Sequence, residues 1–292
     1  MIEIYFEQTS DAEKFFDLLQ EKVNGTTRLY LQLKYDGNSL VTIDIDQCVD
    51  EAISSCVAPA ITQFILRFIE DRLLLSIISG TFYFKNEEEQ YQILQLTHSF
   101  LEGERYDYRS GKKSVMSRDA LIMNALLPFL KDNLSFSLTS FVTFRLKRYM
   151  ERLNHYVELA IDEYKLEQEY QNFVQILRDY VAEREAKWRI VHLVHRSPDF
   201  LFFDEQFRHV TKKELTQLID RNLPVSQPMY IDSSVLAPLV SIAPELVYVY
   251  TSCEDDGMIQ TLQNVFQERL RFCKPTDFAD AQTAMSIHDR ST

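Results

Sequence analysis

The sequence predicts an α+β protein of mixed architecture, and three observations carry that reading. The first 45 or so residues alternate in the manner of short strands around one helix. About 140 residues of helical period then follow. The chain returns to a strand, helix, strand pattern before its end. Glycine (6) and proline (8) are scarce among 292 residues, which favours long helices over a sandwich of many short strands. The sequence divides accordingly into an N-terminal α/β unit over 1–46, a helical domain over 47–187, a C-terminal α/β unit over 188–274, and a tail over 275–292 with little periodicity, expected to trail without order.

Ile2 to Phe6 alternates as a strand. Ser10 and Glu13 have the spacing of a capping box at the start of a helix whose apolar side holds Phe15, Phe16, Leu18 and Leu19. Arg28 to Tyr35 and Leu40 to Ile45 read as strands joined by Asp36-Gly37-Asn38, a turn of residues that tolerate positive φ. These segments make a β-α-β-β unit.

The helical part opens with a tract that Pro59 should restart or kink, since proline has no N–H. Ile61 to Ile78 is too apolar for a surface helix. Glu87 to Leu101 is a second helix, and Ser117 is placed to cap a third at Asp119 to Leu130. From Ser137 to about Lys187 the period stays helical, but the apolar stripe changes side. Val142, Leu146, Tyr149, Leu153, Val157, Ile161 and Tyr164 form one stripe. Leu166, Tyr170, Phe173, Leu177 and Val181 form another, rotated by more than about 90° at 3.6 residues per turn. A central helix that bends near 165–168, or packs on different partners at each end, accounts for this.

Beyond Trp188, Arg189 to His195 and Phe200 to Asp204 read as a hairpin. Thr211 caps a helix, Asp232 another that ends at Ala243-Pro244. Leu246 to Thr251, Met258 to Glu268 and Leu270 to Cys273 make a βαβ element with adjacent parallel strands.

Composition sets limits on function. Hydrophobic residues at 46% allow a large core, and a net charge of −13 is a repulsive background for nucleic acid and for an anionic membrane. The start MIEIYFEQTS has neither the basic nor the apolar region of a secretory signal. The longest uncharged stretch of the first half, Ala52 to Leu66, is shorter than a bilayer span. Four scattered cysteines do not form a disulfide framework. A cytoplasmic protein with free thiols and no membrane span is expected.

Chemical motifs are few. There is no dinucleotide fingerprint, no phosphate-binding loop, no nucleophile elbow, no zinc-protease motif and no Cys-x-x-Cys. The acids in ELAIDEYKLEQEYQNF (158–173) lack the Glu-x-x-His pairs of a di-iron bundle. Asp162 and Glu169 fall on a solvated face. Glu163 and Glu167, near the edge where the stripes overlap, are candidate buried carboxylates that need an arginine such as Arg67 or Arg72. No cofactor is expected. The electrostatic outlier is ERYDYRSGKKSVMSR, where Arg105, Arg109, Lys112, Lys113 and Arg118 flank Tyr106 and Tyr108, a candidate anion site that could hold a phosphate and stack a base. His192 and His195 point to opposite faces of one strand. With Cys253 and Cys273 they mark the place where an unrecognised enzyme site could form in the C-terminal unit. The loop TSCEDDG (251–257) caps its own helix with acids and would repel a phosphate.

Four segments carry a family resemblance: FILRFIEDRLLLSIISGTFYFKNEEEQ from Phe64, AIDEYKLEQEYQNFVQILRDYVAERE from Ala160, VLAPLVSIAPELVYVY from Val235 and TLQNVFQERLRFC from Thr261. They resemble the YtxC-like family of sporulation proteins from endospore-forming bacteria, over most of the chain up to Cys273. The resemblance implies a cytoplasmic protein of a spore-forming cell, and it transfers no catalytic residue or cofactor to any position. The function expected is a non-enzymatic interaction with another protein in sporulation. A nucleic-acid or nucleotide binder using 105–118 is the second reading, and an enzyme in the C-terminal unit the third.

Overall fold

The computed structural model describes residues 1–23, 31–103, 116–131, 133–197, 199–220, 223 and 234–288, with side chains to residue 283. The chain divides into two compact units, Met1–Lys165 and Leu166–Thr292.

The first unit is built on a four-stranded sheet. Strands β1 (Ile2–Tyr5), β2 (Leu31–Tyr35), β3 (Leu40–Ile45) and β4 (Leu134–Ser137) lie in the order β2-β3-β1-β4. β3 is antiparallel to both β1 and β2, and β4 is parallel to β1, pairing Ile2 with Leu134 and Tyr5 with Ser137. The hairpin between β2 and β3 forms as its sequence predicts. Gly37 has φ 78°, and Asp36 Oδ1 accepts from the N–H of Asn38 at 2.8 Å and of Leu40 at 3.0 Å. β4 has no counterpart in the sequence reading, because four residues with two serines carry little strand signal. It ties residues 134–137 to the first strand, so the N-terminal sheet is completed by a segment distant in sequence.

Helix α1 (Thr9–Lys22) packs Ala12, Phe15, Leu18 and Leu19 against this sheet. It starts earlier than Ser10 predicts. Gln8 holds the cap position without a side-chain hydrogen bond, so the Ser10–Glu13 capping box does not form.

The core is organised by α2, a helix running over Val49–Thr81. It contains three wide π turns, at Ile53–Val57, Ile65–Ile69 and Ile77–Thr81. Each is closed by a bond to the carbonyl five residues back, from Ala58 to Ile53, Glu70 to Ile65 and Phe82 to Ile77. The sequence explains them. Ile53, Val57, Ile61, Ile65, Ile69, Leu73 and Ile77 recur strictly every four residues. In a regular α-helix a four-residue repeat drifts by about 40° per step, or about 120° over twelve residues. One extra residue per twelve absorbs about 100° of that drift, and the π turns start twelve residues apart. The row therefore stays on one side, with Val57, Ile61 and Ile65 fully buried. Pro59, expected to kink or restart the helix, sits just after the first wide turn and the helix continues past it. By length and composition α2 could cross a membrane, but 56% of its most apolar window is buried inside the protein. Around it Phe6, Phe15 and Phe64 pack with ring centroids 5.2–5.6 Å apart. Burying each such ring contributes roughly 1.5–3 kcal/mol.

Helices α3 (Glu87–Leu101) and α4 (Arg118–Leu126) follow, capped by Asn86 and Ser117. Ser137 caps α5 (Leu138–Arg145), which stops at Leu146 (φ −92°, ψ 33°). Helix α6 then runs unbroken from Lys147 to Ala182. Its change of stripe has a simple cause. Tyr149, Leu153, Val157, Ala160, Ile161 and Tyr164 belong to the core of the first unit, and Phe173, Val174, Leu177 and Val181 to that of the second. Residues 165–169 between them are exposed, including Leu166, which the sequence assigns to the second stripe.

The second unit has a five-stranded sheet of β5 (Ile190–Arg196), β6 (Asp199–Phe203), β7 (His209–Val210), β8 (Leu246–Tyr250) and β9 (Leu270–Cys273), in the order β7-β6-β5-β8-β9. β5 and β6 form the expected antiparallel hairpin, and β5, β8 and β9 run parallel. Helices α7 (Lys212–Leu218), α8 (Leu236–Ile242), α9 (Gly257–Phe266) and α10 (Pro275–His288) complete the unit. Thr211 and Glu214 form a full capping box, and Asp256 caps α9 through Met258 and Ile259. The predicted Asp232 cap lies outside the described residues. The segment after Cys273 is a helix where the sequence predicts a trailing tail. One side chain ties it down: Phe278 packs against Phe203, Phe207 and Tyr250 at 4.7–5.6 Å.

Candidate functional site

The anion site expected at 105–118 is only partly within view. Arg105, Arg109, Lys112 and Lys113 lie outside the described residues. Arg118 opens α4, and its guanidinium binds the carboxylate of Glu70. Glu70 is 2% exposed and also accepts a hydrogen bond from the hydroxyl of Tyr149, which is 1% exposed. Burial, and then the neighbouring Glu70, push the Tyr149 phenol far above its usual range, so it stays a neutral donor. Arg118 therefore answers a buried carboxylate, and its side chain is 23% exposed. Removing either charge would leave the other buried, at a cost of about 3–5 kcal/mol.

The buried carboxylate pair foreseen at Glu163 and Glu167 is thus found elsewhere, at Glu70. Glu167 is exposed and accepts from the amide of Gln171 at 2.7 Å, because no core covers α6 between Tyr164 and Phe173. Glu163 is half-buried. Neither suggested arginine is the partner of Glu167: Arg72 binds Asp11 at 2.6 Å, and Arg67 lies 5.6 Å from the centre of the Phe68 ring. The sequence signal for Glu70 was its place in a second four-residue row, Thr62, Leu66, Glu70, Leu74 and Ile78, an acid among residues that face the core.

In the second unit, His192 and His195 lie on opposite faces of β5. His192 is 5% exposed, stacks on Phe207 at 4.1 Å, and shares a hydrogen bond with the Tyr250 hydroxyl at 3.1 Å. Burial lowers its pKa to about 4 and raises that of Tyr250 to about 12. His195 stacks on Phe200 and bonds through Nδ1 to Thr251 Oγ1 at 3.0 Å. The loop after β8 is a set of local turns: Cys253 N–H donates to Thr251 Oγ1, and Thr251 N–H donates to the carbonyl of Cys273. All four cysteines are free thiols, and burial raises the pKa of Cys273. The two histidines are separated by the sheet, so they do not join in one site. Among the described residues no three His, Cys, Asp or Glu side chains group closely enough to hold a metal ion.

Two concave features of the first unit have the dimensions of binding sites. A cavity of about 300 Å³ lies where β1 and β4 end, bordered by Asp11 and Arg72. A shallow groove of about 480 Å³ runs along α6, whose Lys147, Met150, Glu151, Asn154, His155 and Glu158 form its floor at helical spacing. Phe82 and Thr143 flank it. Next to them in the chain, Tyr83 is 74% exposed and Phe144 is 70% exposed. Tyr83 also has φ 63°, a left-handed conformation that favours glycine at a helix end. The bonds from Phe82 to Ile77 and from Phe84 to Ile78, both 3.2 Å, close the last wide turn around it. The helix end thus holds a large aromatic side chain outward at some cost in backbone energy.

Comparison with known proteins places the chain in a family. Residues 55–271 match the YtxC-like family, which spans α2, the Glu70 network, α6 and the sheet of the second unit. The chain is a member of that family. It is 39% identical over 283 residues to YtxC of Bacillus subtilis (strain 168), a protein described as uncharacterised, with 97% of each chain covered. No solved structure matches it.

Proposed function

We propose that this chain is a non-enzymatic cytoplasmic protein that acts in sporulation by docking a partner protein along the α6 groove. The observation that supports this reading is the pair Tyr83 and Phe144, both more than two-thirds exposed, at the flanks of a groove. Single exposed apolar residues are ordinary, but two large aromatics beside a concave surface mark an interaction site. The floor from Lys147 to Glu158 covers about three helical turns, roughly 16 Å. It alternates Lys147 with Glu151 and Glu158 around Met150. An amphipathic helix of similar length, with an apolar stripe flanked by both signs of charge, complements it. Buried aromatics dominate such interfaces, and each can contribute about 2 kcal/mol or more, about thirtyfold in affinity. The sporulating cell as the setting rests on family membership.

The test is capture of the tagged full chain from sporulating cells, in three forms. A partner recovered with the wild type and with Leu127→Ser, which alters an exposed leucine elsewhere, should be lost from the Tyr83→Ser/Phe144→Ser double variant. Equal recovery with the double variant, or recovery of nothing but further copies of the chain itself, would reject this surface as a heterologous docking site.

A further inference from the structure

We infer that the cavity at the ends of β1 and β4 binds a small zwitterion, an α-amino acid with a branched aliphatic side chain. This site is separate from the α6 groove and does not depend on it. Its volume of about 300 Å³ is at the lower limit of small-molecule sites, which selects a ligand of few atoms. One wall is apolar, made of Phe6, Ile69, Leu73, Leu138 and Val142. The second π turn of α2 shapes this wall, since Ile69 ends it and Leu73 is the next residue of the four-residue row.

The other side is an ion pair that is not used up. Arg72 Nη2 donates to Asp11 Oδ2 at 2.6 Å, with Asp11 the more buried member, its side chain 11% exposed against 41% for Arg72. A guanidinium has five N–H donors and a carboxylate has two oxygens. The bond between them leaves several donors of Arg72, and Asp11 Oδ1, for a third party. Glu7, Gln8 and Thr139 border the same space.

Charge decides which third party fits. The bordering side chains carry one positive charge, on Arg72, and two negative ones, on Glu7 and Asp11. A simple anion would meet both carboxylates. A simple cation would meet the guanidinium. Either leaves a desolvated charge facing its like, which costs several kcal/mol. A zwitterion extends the ion pair head to tail, with its carboxylate on the free donors of Arg72 and its ammonium beside Asp11 and Glu7. Its side chain then lies against Phe6, Leu73 and Val142.

The experiment is titration calorimetry of the purified full chain, with L-leucine and two half-analogues as probes. Isovalerate lacks the ammonium group, and isoamylamine lacks the carboxylate. Leucine should bind saturably, and each half-analogue at least about tenfold more weakly. Arg72→Gln should weaken leucine by at least about tenfold. Because that variant also unpairs Asp11 and can lower stability, Thr139→Phe is the second variant. It blocks the cavity from its exposed rim, and should abolish binding with an unchanged melting temperature. Absence of saturable binding of leucine, isoleucine and valine at about 10 mM overturns the inference. So does equal affinity for leucine and isovalerate, or full binding by Thr139→Phe.

Discussion

His192 is the residue whose environment is most plainly at odds with its chemistry. A neutral imidazole is held between Phe207, Tyr248 and Tyr250, and burial brings its pKa to about 4 from the ordinary 6.5. Above about pH 6.5 both folded and unfolded chains carry it neutral, so it costs nothing. Between about 6.5 and about 4 the unfolded chain binds a proton that the folded chain refuses, and stability falls with pH. The loss from this residue alone is roughly 3 kcal/mol, because each tenfold change in proton affinity corresponds to about 1.4 kcal/mol. Urea unfolding at about pH 7 and about pH 4 should therefore show a smaller loss for His192→Phe than for the wild type. Parallel losses in the two proteins would mean that the ring is hydrated in the folded state. Glu70, Arg118 and Tyr149 pose the opposite case, a buried charge that is fully answered. That network was not legible from the sequence, because its members are 31 to 79 positions apart and local pattern does not reach that far.

At the scale of elements, α2 is where sequence and structure are most tightly joined. The four-residue row from Ile53 to Ile77 is visible in the sequence, and its only helical solution is a helix wider than α at regular intervals. A 3.6-residue period registers the tract as apolar all round and passes over the wide turns. Deletion of Leu66, within the second wide turn, tests this. The turn should close to regular α, rotating all that follows by about 100°. Glu70 then leaves Arg118 and Tyr149, and Leu74 and Ile78 leave the core. The expected cost exceeds about 5 kcal/mol, enough to unfold the unit. Leu66→Ala, which trims a half-buried side chain in the same place, should cost far less. A deletion variant whose melting curve matches that of Leu66→Ala would show that the wide turns carry no register. The strands followed their signals more closely. Asp36-Gly37-Asn38 and the βαβ of β8, α9 and β9 form as read. β4 escaped because it is short and half polar, and α10 escaped because a single anchor, Phe278, gives no periodic stripe.

For the molecule as a whole, two cores explain one long helix with two stripes. The apolar residues of α6 up to Tyr164 serve the first unit and those from Phe173 serve the second. The shift in stripe is plain in the sequence, and so is the absence of catalytic motifs. The candidate sites were not, because grooves and cavities arise where elements distant in sequence meet: Phe82 with Thr143 and α6, Asp11 with Arg72. Membership of the YtxC-like family identifies the chain, and the exposed pair Tyr83 and Phe144 gives that identity a surface. The most direct measurement is site-specific photocrosslinking in sporulating cells, with a benzophenone amino acid in place of Phe144 and, as control, in place of Leu127. Docking in the α6 groove predicts one dominant adduct with a different protein at Phe144 and none of that size at Leu127. No adduct at Phe144, or the same adducts at both positions, would contradict it.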